Sequence, residues 1–186
     1  KPYSFEEMTC RVNQNLEMLD LMESLHNLAN RDYLTGLYNR RYFFEQGQQR
    51  HRNALQQGQT RVAAMLDIDH FKSINDTYGH AYGDQVIQHV SECLQRHFPG
   101  DLIARIGGEE FAIFFAGADA DLVRQRLDTF RKRLPTEATS AAPKGIAMAI
   151  SIGMCGETAP DLNTMLSSAD KRLYQAKQNG RNRLKG

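Results

Sequence analysis

The fold is decided by the stretch Arg105-Ile106-Gly107-Gly108-Glu109-Glu110-Phe111-Ala112-Ile113-Phe114-Phe115. Residues with high β-propensity lie on both sides of a Gly-Gly pair, and this pattern predicts a β-hairpin. We expect Gly107 and Gly108 to adopt the positive φ that tight hairpin turns require, and to let a ligand approach the backbone. The residues that follow the glycines should therefore stand at the tip of the hairpin.

Two carboxylates, Glu109 and Glu110, come directly after the glycines. Adjacent acids repel each other and are unsuited to a core, so they need a positive partner. A divalent cation that carries phosphate oxygens is suitable, because hard cations bind oxygen ligands. For a motif this short a solvated hairpin tip is the alternative. Matching residues elsewhere in the chain must decide between the two.

A second set of acids ends the apolar run Arg61–Asp69, which is typical of a strand buried on both faces. Asp67 and Asp69 point to the same side at the carboxyl end of this strand, where α/β sheets usually bind ligands. Asp69 is suited to cap the helix that begins near Phe71. Asp67 is less suited to that role, so we expect it to bind a metal ion together with the hairpin acids, if their strands are neighbours.

The remaining periodicities predict the order helix, strand, helix, strand–hairpin–strand, helix, strand, helix. The last strand is predicted over Ile146 to Met154, and Asp119 and Asp161 are predicted to cap the helices on either side of it. Within one domain this order indicates an α+β sandwich with a central mixed β-sheet flanked by helices, close to the split βαβ pattern.

An N-terminal helix is predicted from residue 4 to about residue 29, a segment without proline or glycine. Steps of three and four residues along it follow a coiled-coil seam: Phe5, Met8, Val12, Asn15, Leu19, Met22, His26 and Ala29. Asn15 and His26 make this seam imperfect. Two interpretations stay open, a two-chain stalk that pairs two copies of the next domain and a helix that packs back on its own domain. We place the boundary between residues 1–29 and 30–186.

Polar residues around two turns are further candidates for ligand binding. Asn75 and Asp84 could together recognise guanine, since the carboxylate accepts N1–H and the exocyclic N2–H while the amide meets O6 or N7. Turn formation over residues 78–84 explains both equally well, and His80 could be a helix-cap residue. Among the cations, Lys72 lies one helical turn beyond the strand end, where a solvated lysine is the simple explanation. Lys177 and Arg181 bracket the end of the last helix, where the helix dipole also favours cations.

Composition narrows the class of protein. The formal net charge is +1, from 23 basic and 22 acidic side chains, so the basic excess of duplex nucleic-acid binding is missing. No apolar run reaches the length of a membrane span, and no signal-peptide pattern opens the chain. Three scattered cysteines indicate neither a disulfide framework nor a zinc site, and favour a cytoplasmic setting. Because the chain does not begin with Met, we expect a longer protein in which an upstream part holds a sensory region and could hold a membrane tether.

Four separated motifs occur in order and at suitable spacings: Asp32-x-Leu34-Thr35-Gly36-Leu37-x-Asn39-Arg40-Arg41, Asp67-Ile68-Asp69-x-Phe71-Lys72-x-x-Asn75-Asp76-x-x-Gly79-His80-x-x-Gly83-Asp84, Gly107-Gly108-Glu109-Glu110-Phe111 and Tyr174-x-Ala176-Lys177-x-x-Gly180-Arg181-Asn182. Together they resemble the GGDEF family of bacterial diguanylate cyclases, here in a GGEEF variant, over about residues 30–186. Four motifs in agreement are far more specific than the hairpin alone.

The resemblance implies the palm-like fold shared with nucleotidyl cyclases and some polymerases. It also implies condensation of two GTP molecules to cyclic di-GMP, with release of two pyrophosphates. The 3′-hydroxyl of one GTP would attack the α-phosphate of the other, with Mg²⁺ or Mn²⁺ stabilising the entering and leaving oxygens. Each domain would supply half of a two-fold site, so the active species would be a homodimer. The N-terminal helix would then set how two catalytic domains face each other.

The resemblance also assigns roles by position. Metal ions would be held by the oxygens of Asp67, Ile68 (its backbone carbonyl), Glu109 and Glu110. Glu109 would also be the candidate general base, and Glu110 would support the second metal or its waters. The guanine base would contact Asn75 and Asp84, with His80 close by. The phosphates would bind the cations Lys72, Lys177 and Arg181.

One departure from the family pattern lies before the hairpin. Many members carry Arg-x-x-Asp there as a product-binding inhibitory site, and the matching stretch here is Phe98-Pro99-Gly100-Asp101. Phenylalanine replaces the arginine, so the sequence predicts weak or absent product inhibition through that site.

The same residues distinguish the cyclase from three alternative functions. A regulatory module that binds GTP or cyclic di-GMP without turnover would usually lack Asp67 or a hairpin acid, and this chain has them all. An interaction module that works through the N-terminal helix leaves the acids and the cations near Gly180 unexplained. A cyclase for a single nucleoside triphosphate is a third alternative, and the Asn75/Asp84 pair favours guanine over adenine.

Overall fold

The computed structural model describes residues 5–139, 141, 148–156 and 159–186. Its helices and strands run in chain order as α1 (Phe5–Asn30), α2 (Arg40–Gln56), β1 (Arg61–Ile68), α3 (Phe71–Tyr78), α4 (His80–His97), β2 (Leu102–Arg105), β3 (Glu110–Ala116), α5 (Ala120–Arg133), β4 (Ile150–Cys155), α6 (Leu162–Gln178) and β5 (Leu184–Lys185). Asp119 and Asp161 cap α5 and α6 through their side chains, as predicted.

The strands form one mixed sheet in the order β2-β3-β1-β4-β5. The pairs β2–β3, β3–β1 and β1–β4 are antiparallel, whereas β4–β5 is parallel. The predicted α+β class with a mixed central sheet is therefore confirmed. Strand β5 was not predicted from the sequence, because two residues are too short to show a periodicity.

Strand β1 is central and contributes to two hydrophobic clusters, one on each face of the sheet. Val62, Ala64, Leu66 and Ile68 pack in a cluster with α4 and α5. Ala63 and Met65 pack in a second cluster with residues of α2 and α6, such as Phe43 and Leu173. Because both faces are covered, the run of apolar residues is continuous rather than alternating.

The structure corrects two predicted segments. Helix α4 begins at His80, directly after Gly79 with φ of 85°, so residues 80–84 are helical rather than part of a longer turn. His80 is the first residue of α4 and not its cap, which is Gly79. The last long strand begins at Ile150, later than predicted, and Ile146 lies outside the described residues.

Helix α1 stands apart from the core along most of its length. Its large apolar seam residues are each more than half exposed: Phe5, Met8, Val12, Leu19 and Met22. Leu16, Met18, Leu21, Leu25 and Leu28 are exposed as well, so the apolar surface is wider than the predicted seam. These apolar side chains of α1 are therefore not covered by the domain that follows them in the same chain. Within the described ranges, no helix combines the length and apolar character that a membrane crossing requires.

Candidate functional site

The strand register brings the hairpin acids to the end of β1. Asp67 pairs with Glu110 across the β1–β3 ladder, and the backbone N–H of Ile68 donates to the carbonyl of Glu109 at 3.3 Å. The strands are neighbours, as the metal hypothesis requires. Asp67, Glu109 and Glu110 therefore lie at the same end of the β1–β3 ladder.

Asp67 is the buried member of this group, with 5% of its surface exposed. Burial raises the pKa of its carboxyl to about 6; the Lys177 ammonium opposes this rise, and the charges of Glu109 and Glu110 add to it. Lys177 Nζ lies 2.7 Å from Asp67 Oδ2. The structure thus places Lys177, predicted to bind phosphate, on the carboxylate itself.

The oxygens at this edge suit a hard cation. Asp67 is paired with Lys177 and also feels the charges of Glu109 and Glu110, and carboxylate oxygens are the ligands that Mg²⁺ and Mn²⁺ prefer. In the part of the chain that the structure describes, no group of three or more His, Cys, Asp or Glu side chains has already converged around a single point. Binding of a cation would therefore require side-chain movement, including that of Lys177.

The hairpin turn differs from the predicted one. Residues 106–109 connect β2 and β3, and neither Gly107 nor Gly108 has a positive φ. A Cβ on Gly107 would lie 2.6 Å from Oε2 of Glu110, so glycine makes room here for a carboxylate instead of relieving backbone strain.

Arg105 holds this turn, a role that the sequence analysis missed. Its Nε donates to the carbonyls of Gly107 and Gly108 at 3.1 and 3.0 Å, and its Nη1 donates to Oδ1 of Asp32 at 3.1 Å. Asp32 Oδ1 also accepts from the backbone N–H and the hydroxyl of Thr35. The side chain of Arg105 thus ties the glycine turn to the segment that follows α1. The signal in the sequence was the Asp32-x-Leu34-Thr35 motif, but nothing in it identified Arg105 as the partner.

Helices α3 and α4 meet at Asn75. Its Oδ1 is buried without a hydrogen-bond partner in the described part of the chain. A Cβ on Gly83 would overlap this oxygen and lie 3.1 Å from the ring of Phe71. Gly83 is therefore a packing requirement for Asn75, and the next residue, Asp84, is exposed beside it. Lys72 and His80 are also exposed on these two helices.

Asp69 does not cap α3, which corrects the prediction. The cap residue is His70, with a left-handed φ of 59° and no capping side chain. Asp69 instead accepts from the hydroxyl of Ser151 at 2.7 Å and from the backbone N–H of Asn182 at 2.8 Å. Three consecutive positive φ angles, at residues 180–182, turn the chain back after α6. Asp69 anchors this turn, which carries the exposed side chain of Arg181.

Phe98 is a core residue, 1% exposed. Its ring makes edge contacts with Phe115 and Phe130, at centroid distances of 5.8 and 5.5 Å. Arg126 lies over the same ring and forms an ion pair of 2.8 Å with Asp101. Phe98 therefore offers no cation to a ligand, and Asp101 already has one.

Comparison with known proteins decides the family. The profile of the family described as "Diguanylate cyclase, GGDEF domain" matches residues 29–183. The chain belongs to the GGDEF family. Among curated relatives, it is 35% identical over 163 residues to the probable diguanylate cyclase DgcT of Escherichia coli K12, covering 85% of this chain and 36% of DgcT. It is 34% identical to the diguanylate cyclase DgcM of the same strain, covering 98% of this chain and 44% of DgcM. The chain thus spans less than half the length of these two relatives.

Solved structures of GGDEF domains have the same fold. The coiled coil and GGDEF domain of DgcB from Caulobacter crescentus, in complex with c-di-GMP, matches with a TM-score of 0.84 and 32% identity, over 98% of this chain and 99% of that one. The active GGEEF domain of a diguanylate cyclase from Vibrio cholerae matches with a TM-score of 0.74 and 27% identity, over 79% and 95%.

Proposed function

We propose that the chain is a diguanylate cyclase that condenses two GTP molecules to cyclic di-GMP at the interface of a two-fold homodimer. The observation that carries the proposal is that Asp67, Glu109 and Glu110 lie at the same end of the β1–β3 ladder in a member of this family. A regulatory module that binds a nucleotide without turnover does not require three mutually repelling carboxylates at this point.

Divalent metal would be held by Asp67, the backbone carbonyl of Ile68, Glu109 and Glu110. Bound Mg²⁺ or Mn²⁺ supplies stabilisation of the entering and leaving oxygens and a lower pKa for the attacking 3′-hydroxyl. Glu109 is the candidate to accept the proton of that hydroxyl. Lys72, Lys177 and Arg181 are proposed for the phosphates, and Asn75 and Asp84, with His80 nearby, for guanine.

Incubation of the purified protein with GTP and Mg²⁺ over a range of protein concentrations tests this function, with chromatographic separation of the nucleotides. The specific rate of cyclic di-GMP formation should rise with protein concentration, because the site needs two domains. Glu109→Gln is the matched control and should give no product. GTP that binds but stays unconverted at high protein concentration would support the regulatory module instead.

We propose residues 1–29 as a stalk that pairs two catalytic domains, residues 30–186. Two facts support this: the exposed apolar residues of α1, and the end-to-end match to a DgcB structure that contains a coiled coil. Deletion of residues 1–29 should lower the specific rate at low protein concentration and leave the rate near that of the intact chain at high concentration. Activity assays combined with light scattering measure this. Equal rates at low concentration would contradict the stalk.

Replacing Gly83 with Ala should weaken GTP binding about tenfold, since the added methyl group displaces the Asn75 amide from its position. Calorimetric titration with GTP and ITP gives the measurement. Both nucleotides carry O6 and N7, so both affinities should fall together. Asp84→Asn is the comparison, and it should reduce the preference for GTP, because only guanine has the N2 amino group. Unchanged affinities in Gly83→Ala would contradict the assignment of Asn75.

Cyclic di-GMP should bind weakly outside the active site, because Phe98 is buried and Asp101 is paired with Arg126. Initial rates measured with added product should show little inhibition beyond competition with GTP. Binding at submicromolar affinity that persists when the active site is filled with a GTP analogue would show that this prediction is wrong.

A further inference from the structure

Lys177 is paired with Asp67, the carboxylate that is proposed to bind a metal ion. Its Nζ lies 2.7 Å from Oδ2 of Asp67, a carboxylate that is almost fully buried. Lys177 comes from the last turn of α6, and Asp67 from the end of β1. A buried carboxylate without a counter-charge is unfavourable, and the ammonium supplies that charge in the chain without ligands.

We propose that Lys177 is a tethered cation that blocks the metal site until a nucleotide arrives, so that metal and nucleotide bind cooperatively. The inference rests on the proposed function, since it takes Asp67 as a metal ligand. It goes further by giving Lys177 two alternating partners, Asp67 and the triphosphate.

Charge explains why the two cations exclude each other. A dication bound to Asp67 would lie close to the ammonium of Lys177, and like charges repel strongly where burial removes the screening by water. Lys177 must therefore leave Asp67 before the carboxylate can bind a dication fully. Without a nucleotide, this departure breaks the ion pair with Asp67, and the remaining partners for the ammonium are water and the less buried carboxylates nearby, such as Glu110.

The space beside Lys177 allows its side chain to move away from Asp67. An open cavity of about 640 Å³ lies beside Lys177 and is lined by Glu110 and by α6 residues that include Asp170, Lys171, Tyr174 and Lys177. The side chain of Lys177 is 32% exposed, and its four-carbon stem is flexible. Phosphate oxygens of a bound nucleotide would accept the ammonium as Asp67 is released. Binding of the nucleotide thus raises the affinity for the metal ion, and binding of the metal ion raises the affinity for the nucleotide, because the coupling between two sites is reciprocal.

Binding of Mn²⁺ measured by electron paramagnetic resonance tests the proposal without turnover. The titrations use the intact chain and the variants Lys177→Gln, Lys177→Met, Lys177→Arg and Lys171→Gln, each with and without 3′-deoxyGTP, which lacks the attacking hydroxyl. Lys171 is the matched control: it is exposed on the same helix and lines the same cavity. Its removal takes away the same charge and leaves the Asp67 pair intact.

Without nucleotide, Lys177→Gln and Lys177→Met should bind Mn²⁺ about fivefold or more tightly than the wild type. Lys177→Arg should stay near the wild type, and Lys171→Gln should change little. The increase in Mn²⁺ affinity caused by 3′-deoxyGTP should shrink in the neutral variants. The rise in melting temperature on addition of Mn²⁺, larger in these variants, gives a second readout on folded protein.

Unchanged or weaker Mn²⁺ binding in the neutral variants would overturn the proposal, as would an equal gain in Lys171→Gln. Adding Asp67→Asn to Lys177→Gln should abolish the gain, and a gain that persists would show that Asp67 is not the ligand. The cyclase assay on the wild type is independent of these titrations. Failure of the proposed activity and failure of the Lys177 mechanism are therefore distinguishable.

Discussion

Asp67→Asn protein should fold and should form cyclic di-GMP about 10³-fold more slowly than the wild type. The carboxamide keeps the shape of the side chain but removes the charge that lies between Lys177 and the hairpin acids. Initial rates at saturating GTP and Mg²⁺ provide the measurement. Asp121→Asn, an exposed acid in the first turn of α5, is the control and should leave the rate unchanged. More than about a tenth of wild-type activity in Asp67→Asn would exclude Asp67 as a metal ligand.

The same substitution should remove a pH dependence of stability. Burial raises the pKa of Asp67 to about 6 in the folded chain, whereas an unfolded Asp has a pKa of about 4. The folded chain therefore binds this proton more tightly, and its free energy of unfolding should fall as pH rises from about 4 to about 6. The full contribution is up to about 3 kcal/mol.

Urea denaturation in EDTA at about pH 4.5 and about pH 6.5 measures this effect. The difference between wild type and Asp67→Asn is the relevant quantity, since burial also raises the pKa of Asp101 and lowers the pKa of His89. Parallel pH dependences of the two proteins would show that the pKa of Asp67 is not raised in the folded chain.

Gly153→Ala should lower the free energy of unfolding by about 3 kcal/mol or more. Gly153 lies in β4, and a Cβ there would overlap the backbone carbonyl of Ala169 and the backbone N–H of Leu173 in α6. Backbone atoms cannot rotate away as side chains can, so the whole helix would have to move. For a chain of this size the melting temperature should fall by about 6–12 °C.

Thermal unfolding followed by circular dichroism checks the Gly153 prediction. Gly108→Ala is the matched control, because a Cβ at Gly108 has no neighbouring atom within 4 Å. The control should stay within about 0.5 kcal/mol of the wild type. Similar melting temperatures for both variants would mean that α6 packs less closely on β4 than the structure shows. Any displacement of α6 should also move Lys177 from Asp67.

Structural features that depend on residues close together in the sequence were predictable. The unbroken apolar run of β1 predicted a strand covered on both faces, and the acid pair after Gly108 predicted the edge at which Asp67 meets the hairpin. The caps Asp119 and Asp161 also follow from local spacing. These features depend on contacts between residues that are close in sequence, or on burial patterns that each strand shows by itself.

Features that depend on a distant partner were missed. Asp69 was assigned to the nearest helix, but its partners are Ser151 and Asn182. Gly153 has no local signal, because the reason for a glycine there is the backbone of a later helix. The turn glycines were given the wrong reason, since neither has a positive φ and the side-chain carboxylate of Glu110 lies close to Gly107.

The buried ring of Phe98 bears on how the proposed enzyme would behave in a cell. An enzyme restrained by its own product has a set point, at which synthesis slows however much substrate remains. A cyclase with a core phenylalanine at that position would lack such negative feedback through that site, so its rate of synthesis would not fall there as the product accumulates. Its output would follow the supply of GTP and the fraction of paired chains, and the highest concentration of cyclic di-GMP would be set by the rate at which other proteins remove it.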